Sequence, residues 1–274
     1  MDGSDARSDD ATTSGGPPAP EREARVQLSA RERTWVVDRH QPHLTFGRAT
    51  ANTIVLGDSY ASRHHGAILH RGGKLVVLDA STNGTLIVQE NGLTIAVHRE
   101  AAVLEGSGSI RLGRWEGESI AFAEVGVASP TPTAHGPGLH PPDVAPDPGR
   151  GLIRFEGDRC TIVYEGRRLL VKDLKGLRYI ARLLARPNQA IDALDLFLSS
   201  VESGTEAGDV PPAAADDDGA AQRARVAVTV RIKAVLRKLE HCHPPLGSHL
   251  VAGIRTGRCC EYRTDRSNPI AWSF

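Results

Sequence analysis

The chain has 274 residues, of which 40% are hydrophobic and 24% are charged, and 33 Lys and Arg balance 33 Asp and Glu. This composition is typical of a globular protein with one or two domains. No run approaches the roughly 18 apolar residues that a transmembrane helix needs, and the polar N-terminus lacks the apolar core of a signal peptide. We therefore expect a cytoplasmic protein that does not contact a membrane. The scarcity of Lys beside abundant Arg, Ala, Gly and Pro indicates a GC-rich bacterial genome.

Three segments of biased composition divide the chain. Residues 1–24 are predicted to be a disordered tail, residues 126–149 a Pro/Gly-rich linker, and residues 202–221 an acidic disordered loop. The remaining sequence forms two predicted domains, residues 25–125 and residues 150–274, and the acidic loop lies inside the second one.

The first domain reads as a series of short segments rich in β-branched residues, separated by Gly, Asn and Asp turns such as Asn91-Gly92. Eight such segments in residues 25–125 predict an all-β sandwich. The predicted strands are 34–37, 44–46, 67–70, 75–78, 85–88, 93–97, 109–112 and 119–122.

Polar patches lie between these strands, where binding residues concentrate on a rigid scaffold. The patches are Gly47-Arg48 with Asn52, Ser62-Arg63-His64-His65, and Ser81-Thr82-Asn83-Gly84-Thr85. Arg48 can supply a cation, Ser62 and Thr82 can supply hydroxyls, and Asn83 can supply an amide. A phosphorylated side chain, with nearly two negative charges and three acceptor oxygens, requires groups of this kind.

The order of the patches resembles the forkhead-associated (FHA) family. Its pattern runs Gly-Arg, Asn-x-Ile-x-Leu and Ser-Arg-x-His, followed by an acidic residue (Asp79 here) and Ser-x-Asn-Gly-Thr. The departures at Ala61, Gly66 and Ser109 remove no candidate phosphate ligand. The resemblance implies a β-sandwich that binds phosphothreonine peptides through Arg48, Ser62, Arg63, Thr82 and Asn83. It also implies that Gly47, His65 and Gly84 hold the binding loops.

Each of these residues also has an ordinary interpretation when it is taken singly. Arg48 would be a surface charge, and Asn83-Gly84 would be a hairpin turn. His64 and His65 are a poor chelating pair, because adjacent side chains on a strand point to opposite faces. We expect His65 to be a buried hydrogen-bonding residue.

The second domain reads as mixed α and β structure. The predicted elements are a hairpin over 161–171, helices over 174–185, 192–199 and 222–240, and a β pair over 254–273. Asp173 is expected to cap the first helix. The order resembles a small α+β winged-helix domain, loosely that of response-regulator effector domains. The segments 173–185 and 254–257 are also similar to a C-terminal module of bacterial regulators.

The helix predicted over 222–240 has an apolar side and a basic side. Its basic residues are Arg223, Arg231, Lys233, Arg237 and Lys238. Residues 222–266 contain 10 Lys and Arg against 3 Asp and Glu, a balance that favours a polyanion. In a winged helix this third helix would enter the DNA major groove. A solvated face is the alternative, and no base-reading pattern is visible.

Metal binding and catalysis find little support in the sequence. His241-Cys242-His243 and Cys259-Cys260 do not have zinc-finger spacing. No phosphate-binding loop, kinase signature or nucleophile motif is present. We expect no metal, no cofactor and no enzymatic activity.

The two resemblances imply a phosphothreonine-binding signalling adaptor or transcriptional regulator that acts downstream of a Ser/Thr protein kinase. The partner would be a phosphorylated protein, such as the kinase or its substrate, and DNA is a second candidate partner. The alternative is a protein-interaction scaffold that does not bind DNA. Thr12 and Thr13 in the tail could, if phosphorylated, bind the chain's own pocket, and an inert tail is the simpler alternative.

Overall fold

The computed structural model describes residues 24–125, 149–201 and 217–274. All but the last residue of the predicted tail, with Thr12 and Thr13, all but the last residue of the predicted linker, and most of the predicted acidic loop lie outside these residues. The described part of the chain forms eighteen strands and four helices. None of the described helices is both long enough and apolar enough to cross a membrane.

Residues 24–125 contain strands and turns. The strands are β1 (Val26–Ala30), β2 (Arg33–Val37), β3 (His43–Gly47), β4 (Ile54–Val55), β5 (Gly66–Arg71), β6 (Lys74–Asp79), β7 (Thr85–Gln89), β8 (Leu93–Val97), β9 (Ala101–Leu104), β10 (Ser107–Leu112) and β11 (Ser119–Glu124). All eight segments expected to be strands are strands, and β1, β4 and β9 are additional.

The rest of the chain alternates strands and helices. Its elements are β12 (Arg150–Glu156), β13 (Arg159–Tyr164), β14 (Arg167–Lys172), α1 (Lys175–Leu184), β15 (Ile191–Asp192), α2 (Ala193–Val201), α3 (Asp217–Cys242), α4 (Pro244–Gly253), β16 (Ile254–Arg255), β17 (Cys259–Tyr262) and β18 (Ala271–Ser273).

The N-terminal strands form the predicted sandwich. One sheet has five strands in the order β4-β3-β5-β6-β9, and it faces strands β8, β7, β10, β11, β1 and β2 of a larger sheet. Alternate residues of both sheets fill one apolar core, as the period of two in a strand requires. Leu44, Phe46 and Ile68 come from the smaller sheet, and Ile87 and Ile110 come from the larger one; all are at most 1% exposed.

The larger sheet continues without a break into the C-terminal part. Its ten strands run β18-β12-β13-β14-β8-β7-β10-β11-β1-β2, and β14 pairs with β8 in parallel. Strand β7 is therefore buried on both faces. Ile87 points into the sandwich core, and Leu86 packs into a second core with the C-terminal helices. The sequence did not indicate that the two parts share a sheet.

The second core is built from the apolar sides of the predicted helices. Leu177, Ile180, Ala181 and Leu184 of α1 are buried, as their spacing predicts. The predicted apolar side of α3 is also buried, and its members are Val228, Ile232, Val235, Leu236 and Leu239. The short strands form a three-stranded sheet in the order β15-β17-β16.

Several predictions for this part were wrong in detail. Asp173 does not cap α1: Leu174 is the N-cap residue and makes no side-chain cap, while the Asp173 carboxylate binds the Arg178 guanidinium, with Nε 2.9 Å from Oδ2. Helix α3 begins at Asp217, inside the predicted acidic loop, because residues such as Ala221 and Gln222 are good helix formers. Helix α4 and the parallel pairing of β18 with β12 were missed.

Candidate functional site

Ser62 links three loops at one end of the sandwich. Its carbonyl accepts a hydrogen bond from the Arg48 backbone N–H at 3.0 Å, so the β3–β4 loop is fixed to it. Its hydroxyl accepts from the Thr82 N–H at 3.1 Å, which fixes the β6–β7 loop. The backbone N–H of Ser62 donates to Nδ1 of His65 at 3.0 Å. The hydroxyls of Ser62 and Thr82 and the guanidinium of Arg48 therefore lie in one neighbourhood.

Arg48 follows strand β3 and is exposed. Its Nε donates to the carbonyl of Ala61 at 2.6 Å, a contact that orients the guanidinium towards the loop that holds Ser62. This contact uses one of the five guanidinium N–H donors and leaves the two terminal nitrogens for a ligand. The side chain is thus partly pre-organised, which lowers the conformational entropy lost when an anion binds.

Two glycines allow the loops to approach one another. At Gly47, φ is +153°, and an added Cβ would lie 2.5 Å from the carbonyl oxygen of Arg63 and 2.8 Å from the backbone nitrogen of His65. At Gly84, φ is +84°, and a Cβ would lie 2.9 Å from the Val97 carbonyl oxygen. Both positions require glycine for conformation and for space.

His65 lies beneath these loops and is fully buried. Its Nδ1 accepts from the Ser62 N–H, and its Nε2 donates to the Gly84 carbonyl at 3.1 Å. One ring nitrogen accepts and the other donates, so the imidazole is neutral. Burial lowers the pKa of His65, although the Asp79 carboxylate, 3.6 Å from Nε2, opposes this shift. The neutral ring joins the Ser62 loop to the Gly84 turn.

The buried carboxylate of Asp79 stabilises the turn after strand β6. Its carboxylate accepts hydrogen bonds from the hydroxyl of Ser81 at 2.8 Å, the hydroxyl of Thr85 at 2.6 Å and the backbone N–H of Arg99 at 2.8 Å. The turn between these residues presents Thr82 and Asn83 to solvent. The Asn83 side chain is also fixed, because its Nδ2 donates to the Tyr60 carbonyl at 2.9 Å.

The structure therefore brings Arg48, Ser62, Thr82 and Asn83 together. The fifth predicted ligand, Arg63, is an exposed residue on the same loop as Ser62. Its carbonyl accepts from Nδ2 of Asn52 at 2.7 Å, and this bond ties the β3–β4 and β4–β5 loops together.

Sequence reasoning missed two side chains at the rim of this site, those of Tyr60 and Arg114. The Arg114 guanidinium lies over the Tyr60 ring, 4.3 Å from its centroid, and approaches the Asp58 carboxylate at 3.8 Å. Burial alone would raise the pKa of Asp58, but the backbone N–H groups of Tyr60 and Glu118 and the charge of Arg114 lower it. No local pattern identifies these residues, because Arg114 comes from the distant β10–β11 connection.

The five basic residues predicted to form one face of α3 do not share one environment. Arg223, Lys233 and Arg237 are exposed, whereas Arg231 and Lys238 are half-buried. Nη1 of Arg231 donates to the Tyr179 hydroxyl at 3.3 Å, and its guanidinium lies 5.7 Å from the centroid of the Phe197 ring. The prediction that Arg231 lies on a solvated basic face was wrong, because α1 and α2 pack against that side of α3.

The cysteines of the C-terminal part differ in burial. Cys242 and Cys260 lie in the second core, and Cys259 is exposed. Within the three described ranges, no group of three or more His, Cys, Asp or Glu side chains could hold a metal ion.

Comparison with known proteins assigns the N-terminal fold. Residues 44–113 match the family model of the FHA domain. The FHA-1 domain of Mycobacterium tuberculosis Rv1747 is 14% identical, with 37% of this chain and 97% of that chain covered and a TM-score of 0.31. The FhaA FHA domain, solved with the intracellular domain of Rv3910, is 27% identical, with 35% and 98% covered and a TM-score of 0.28.

A third similar structure is Mycobacterium tuberculosis EmbR in complex with a low-affinity phosphopeptide. It is 26% identical, with 36% of this chain and 24% of that chain covered and a TM-score of 0.28. No curated protein matches the chain. These TM-scores lie below 0.5, so the assignment rests on the family model. FHA domains are phosphopeptide-binding modules, and residues 44–113 of this chain contain one.

Proposed function

We propose that the chain is a phosphothreonine-binding signalling adaptor or regulator that acts downstream of a Ser/Thr protein kinase. The convergence of Arg48 and Thr82 on Ser62, with Asn83 held on the same loop as Thr82 by the Tyr60 carbonyl, supports the proposal most strongly. The partner would be a phosphorylated protein, such as the kinase or its substrate.

The proposal gives each group a role. The terminal nitrogens of Arg48 bind phosphate oxygens through charge-assisted hydrogen bonds, and the hydroxyls of Ser62 and Thr82 donate to the remaining oxygens. Asn83, whose Nδ2 is already held by Tyr60, presents its carbonyl oxygen to a backbone N–H of the peptide. Arg63 adds positive charge at the rim. His65 binds no ligand, because it is buried and both ring nitrogens are occupied.

These contacts are sufficient for useful affinity. A hydrogen bond to a charged group contributes about 1.5–3 kcal/mol, and a micromolar dissociation constant corresponds to about 8 kcal/mol. Three or four such bonds therefore reach the micromolar range, and loss of Arg48 alone removes most of the discrimination for phosphate.

A phosphopeptide-library pull-down with the full chain tests the proposal and identifies the preferred sequence. The expected result is enrichment of phosphothreonine peptides by the wild-type protein and little enrichment by the Arg48→Ala variant. Arg71→Ala is the matched control, because Arg71 is an exposed arginine at the end of β5. Equal capture of phosphorylated and unphosphorylated peptides would contradict the proposal.

DNA binding through a winged-helix-like C-terminal part is a second candidate function. The β15-β17-β16 sheet and the exposed cations Arg223, Arg225 and Lys233 on α3 favour it. However, α3 packs against α1, α2 and α4, and α4 separates it from the β16–β17 hairpin. These features favour the alternative of a protein-interaction scaffold. A mobility-shift assay tests this function. If the chain binds DNA, the wild-type protein and the Arg182→Glu control should retard a duplex, and the Arg223→Glu/Lys233→Glu variant should not.

A further inference from the structure

A cavity of about 240 Å³ lies between the FHA loops and the C-terminal end of α3. Thr82 and Asn83, two of the proposed peptide ligands, form one side of it. Arg237, Lys238 and His241 of α3 form the opposite side. The proposed phosphopeptide site thus continues into a space that the FHA domain does not enclose by itself.

The end of α3 is held firmly in this position. The backbone N–H of Trp115, in the β10–β11 connection, donates to the His241 carbonyl at 2.9 Å. The His241 ring packs against the Tyr60 ring with centroids 6.3 Å apart, and its Nδ1 donates to the Arg237 carbonyl at 2.6 Å. Tyr60 also holds Asn83, so one residue joins the end of α3 to the proposed binding loop.

The charges around the cavity are unbalanced. No Asp or Glu is among the residues that line it. Within the described part of the chain, the side chains of Arg237 and Lys238 form no ion pair with a carboxylate. Lys238 is half-buried, and Arg237 is exposed. Two cations beside hydroxyl and amide groups, without a neutralising partner, form a site that favours an anion.

We propose that Arg237 and Lys238 bind an acidic side chain of the same peptide whose phosphothreonine occupies the FHA pocket. This inference rests on the proposed function. A peptide anchored at Ser62 and Thr82 passes Asn83 and enters the cavity, and an extended chain advances about 3.3 Å per residue. The acidic residue therefore lies within a few positions of the phosphothreonine. The C-terminal part thereby determines which phosphorylated sequences the FHA domain selects.

The test uses the full chain and a phosphothreonine peptide with alanine at the neighbouring positions. Glutamate replaces each of the four positions before and after the phosphothreonine in turn, and fluorescence anisotropy gives each dissociation constant. One or two adjacent positions are expected to bind about tenfold more tightly with glutamate, which corresponds to about 1.4 kcal/mol. A second phosphoresidue at the same position should strengthen binding further, because it carries more charge.

Arg237→Gln/Lys238→Gln is the decisive variant, because glutamine keeps part of each methylene chain and removes both charges. It should abolish the glutamate preference, and it should weaken the alanine peptide much less than the glutamate peptide. Lys233→Gln, an exposed cation on the same helix outside the cavity, is the matched control and should keep the preference. If the double variant is unstable, Arg237→Glu alone should change the preference from glutamate to lysine.

The possible outcomes distinguish failure of the acidic subsite from failure of the proposed phosphothreonine binding. If Arg48→Ala abolishes binding but the double variant weakens alanine and glutamate peptides by the same factor, only the acidic subsite is wrong. Tighter binding of every peptide by the double variant would show that α3 obstructs the pocket, and it would also overturn the inference. If the wild-type chain binds no phosphopeptide, both proposals are wrong.

Discussion

Truncation of Leu86, on strand β7, tests whether the two parts of the chain form one folded unit. Leu86 is 4% exposed and packs into the core that β12–β14 and the helices build, whereas its neighbour Ile87 is fully buried in the sandwich core. The two residues lie on opposite faces of one strand. Leu86→Ala therefore removes contacts with the C-terminal part, and Ile87→Ala removes contacts within the FHA sandwich.

The expected losses in the free energy of unfolding differ between the full chain and a fragment of residues 24–125. Truncation of a buried Leu to Ala lowers the free energy of unfolding by about 2–5 kcal/mol. In the fragment Leu86 is uncovered, and substitutions at exposed positions usually change stability by about 0.5 kcal/mol or less. Leu86→Ala should thus cost at least about 1.5 kcal/mol more in the full chain. Ile87→Ala should cost about the same in both contexts.

Urea unfolding followed by circular dichroism measures these four differences. The sandwich has its own core, so we expect the fragment to fold. If Leu86→Ala destabilises the fragment and the full chain equally, the C-terminal part does not cover β7 in solution. A failure of the fragment to fold would show instead that the C-terminal part is essential for the sandwich.

Three further predictions follow from individual side chains. Gly47→Ala should lower both stability and peptide affinity far more than Gly72→Ala, measured by melting temperature and anisotropy. Of these two positions, a Cβ would meet backbone atoms at Gly47 and nothing at Gly72. Arg231→Glu should lower the melting temperature and Lys233→Glu should not, because only Arg231 is held by side chains of the interior. Burial keeps the pKa of His65, and also of His243 and His249, below the ordinary 6.5, so the unfolded chain binds these protons first as the pH falls. The free energy of unfolding from urea titrations should therefore decrease as the pH falls below about 6.5; an increase would contradict the neutral buried ring.

The candidate site was largely predictable because its determinants are local. Glycine at positions 47 and 84, the hydroxyls that follow strands and the buried Asp79 are each required by a turn or a close approach, and such requirements leave a pattern in the sequence. Two of the three missed strands, β4 and β9, are short or lie at an edge of the sandwich. β4 has two residues, and β9 lies at the edge of its sheet. β9 pairs only with the distant strand β6, so local propensity carries little signal for it.

The arrangement of the C-terminal part was less predictable for the same reason. The pairing of β14 with β8 joins residues far apart in the chain, and no local pattern specifies it. Helix α4 was missed because Pro244, Pro245 and Gly247 suggest a loop. However, prolines are tolerated in the first turn of a helix, where Pro244 and Pro245 lie. At Gly247 a Cβ would lie 2.4 Å from the Cα of Glu240, so the glycine allows α4 to pack closely on α3.

Binding of one peptide sequence in three forms tests the central claim most directly. The full chain is titrated with the preferred phosphothreonine peptide, its phosphoserine counterpart and its unphosphorylated form, with wild-type protein and with Arg48→Ala. We expect micromolar binding of the phosphothreonine peptide, weaker binding of phosphoserine and no binding without phosphate. Arg48→Ala should weaken phosphothreonine binding at least about tenfold, which corresponds to about 1.4 kcal/mol. Equal affinity for the phosphorylated and unphosphorylated peptides, or unchanged affinity in Arg48→Ala, would contradict the account.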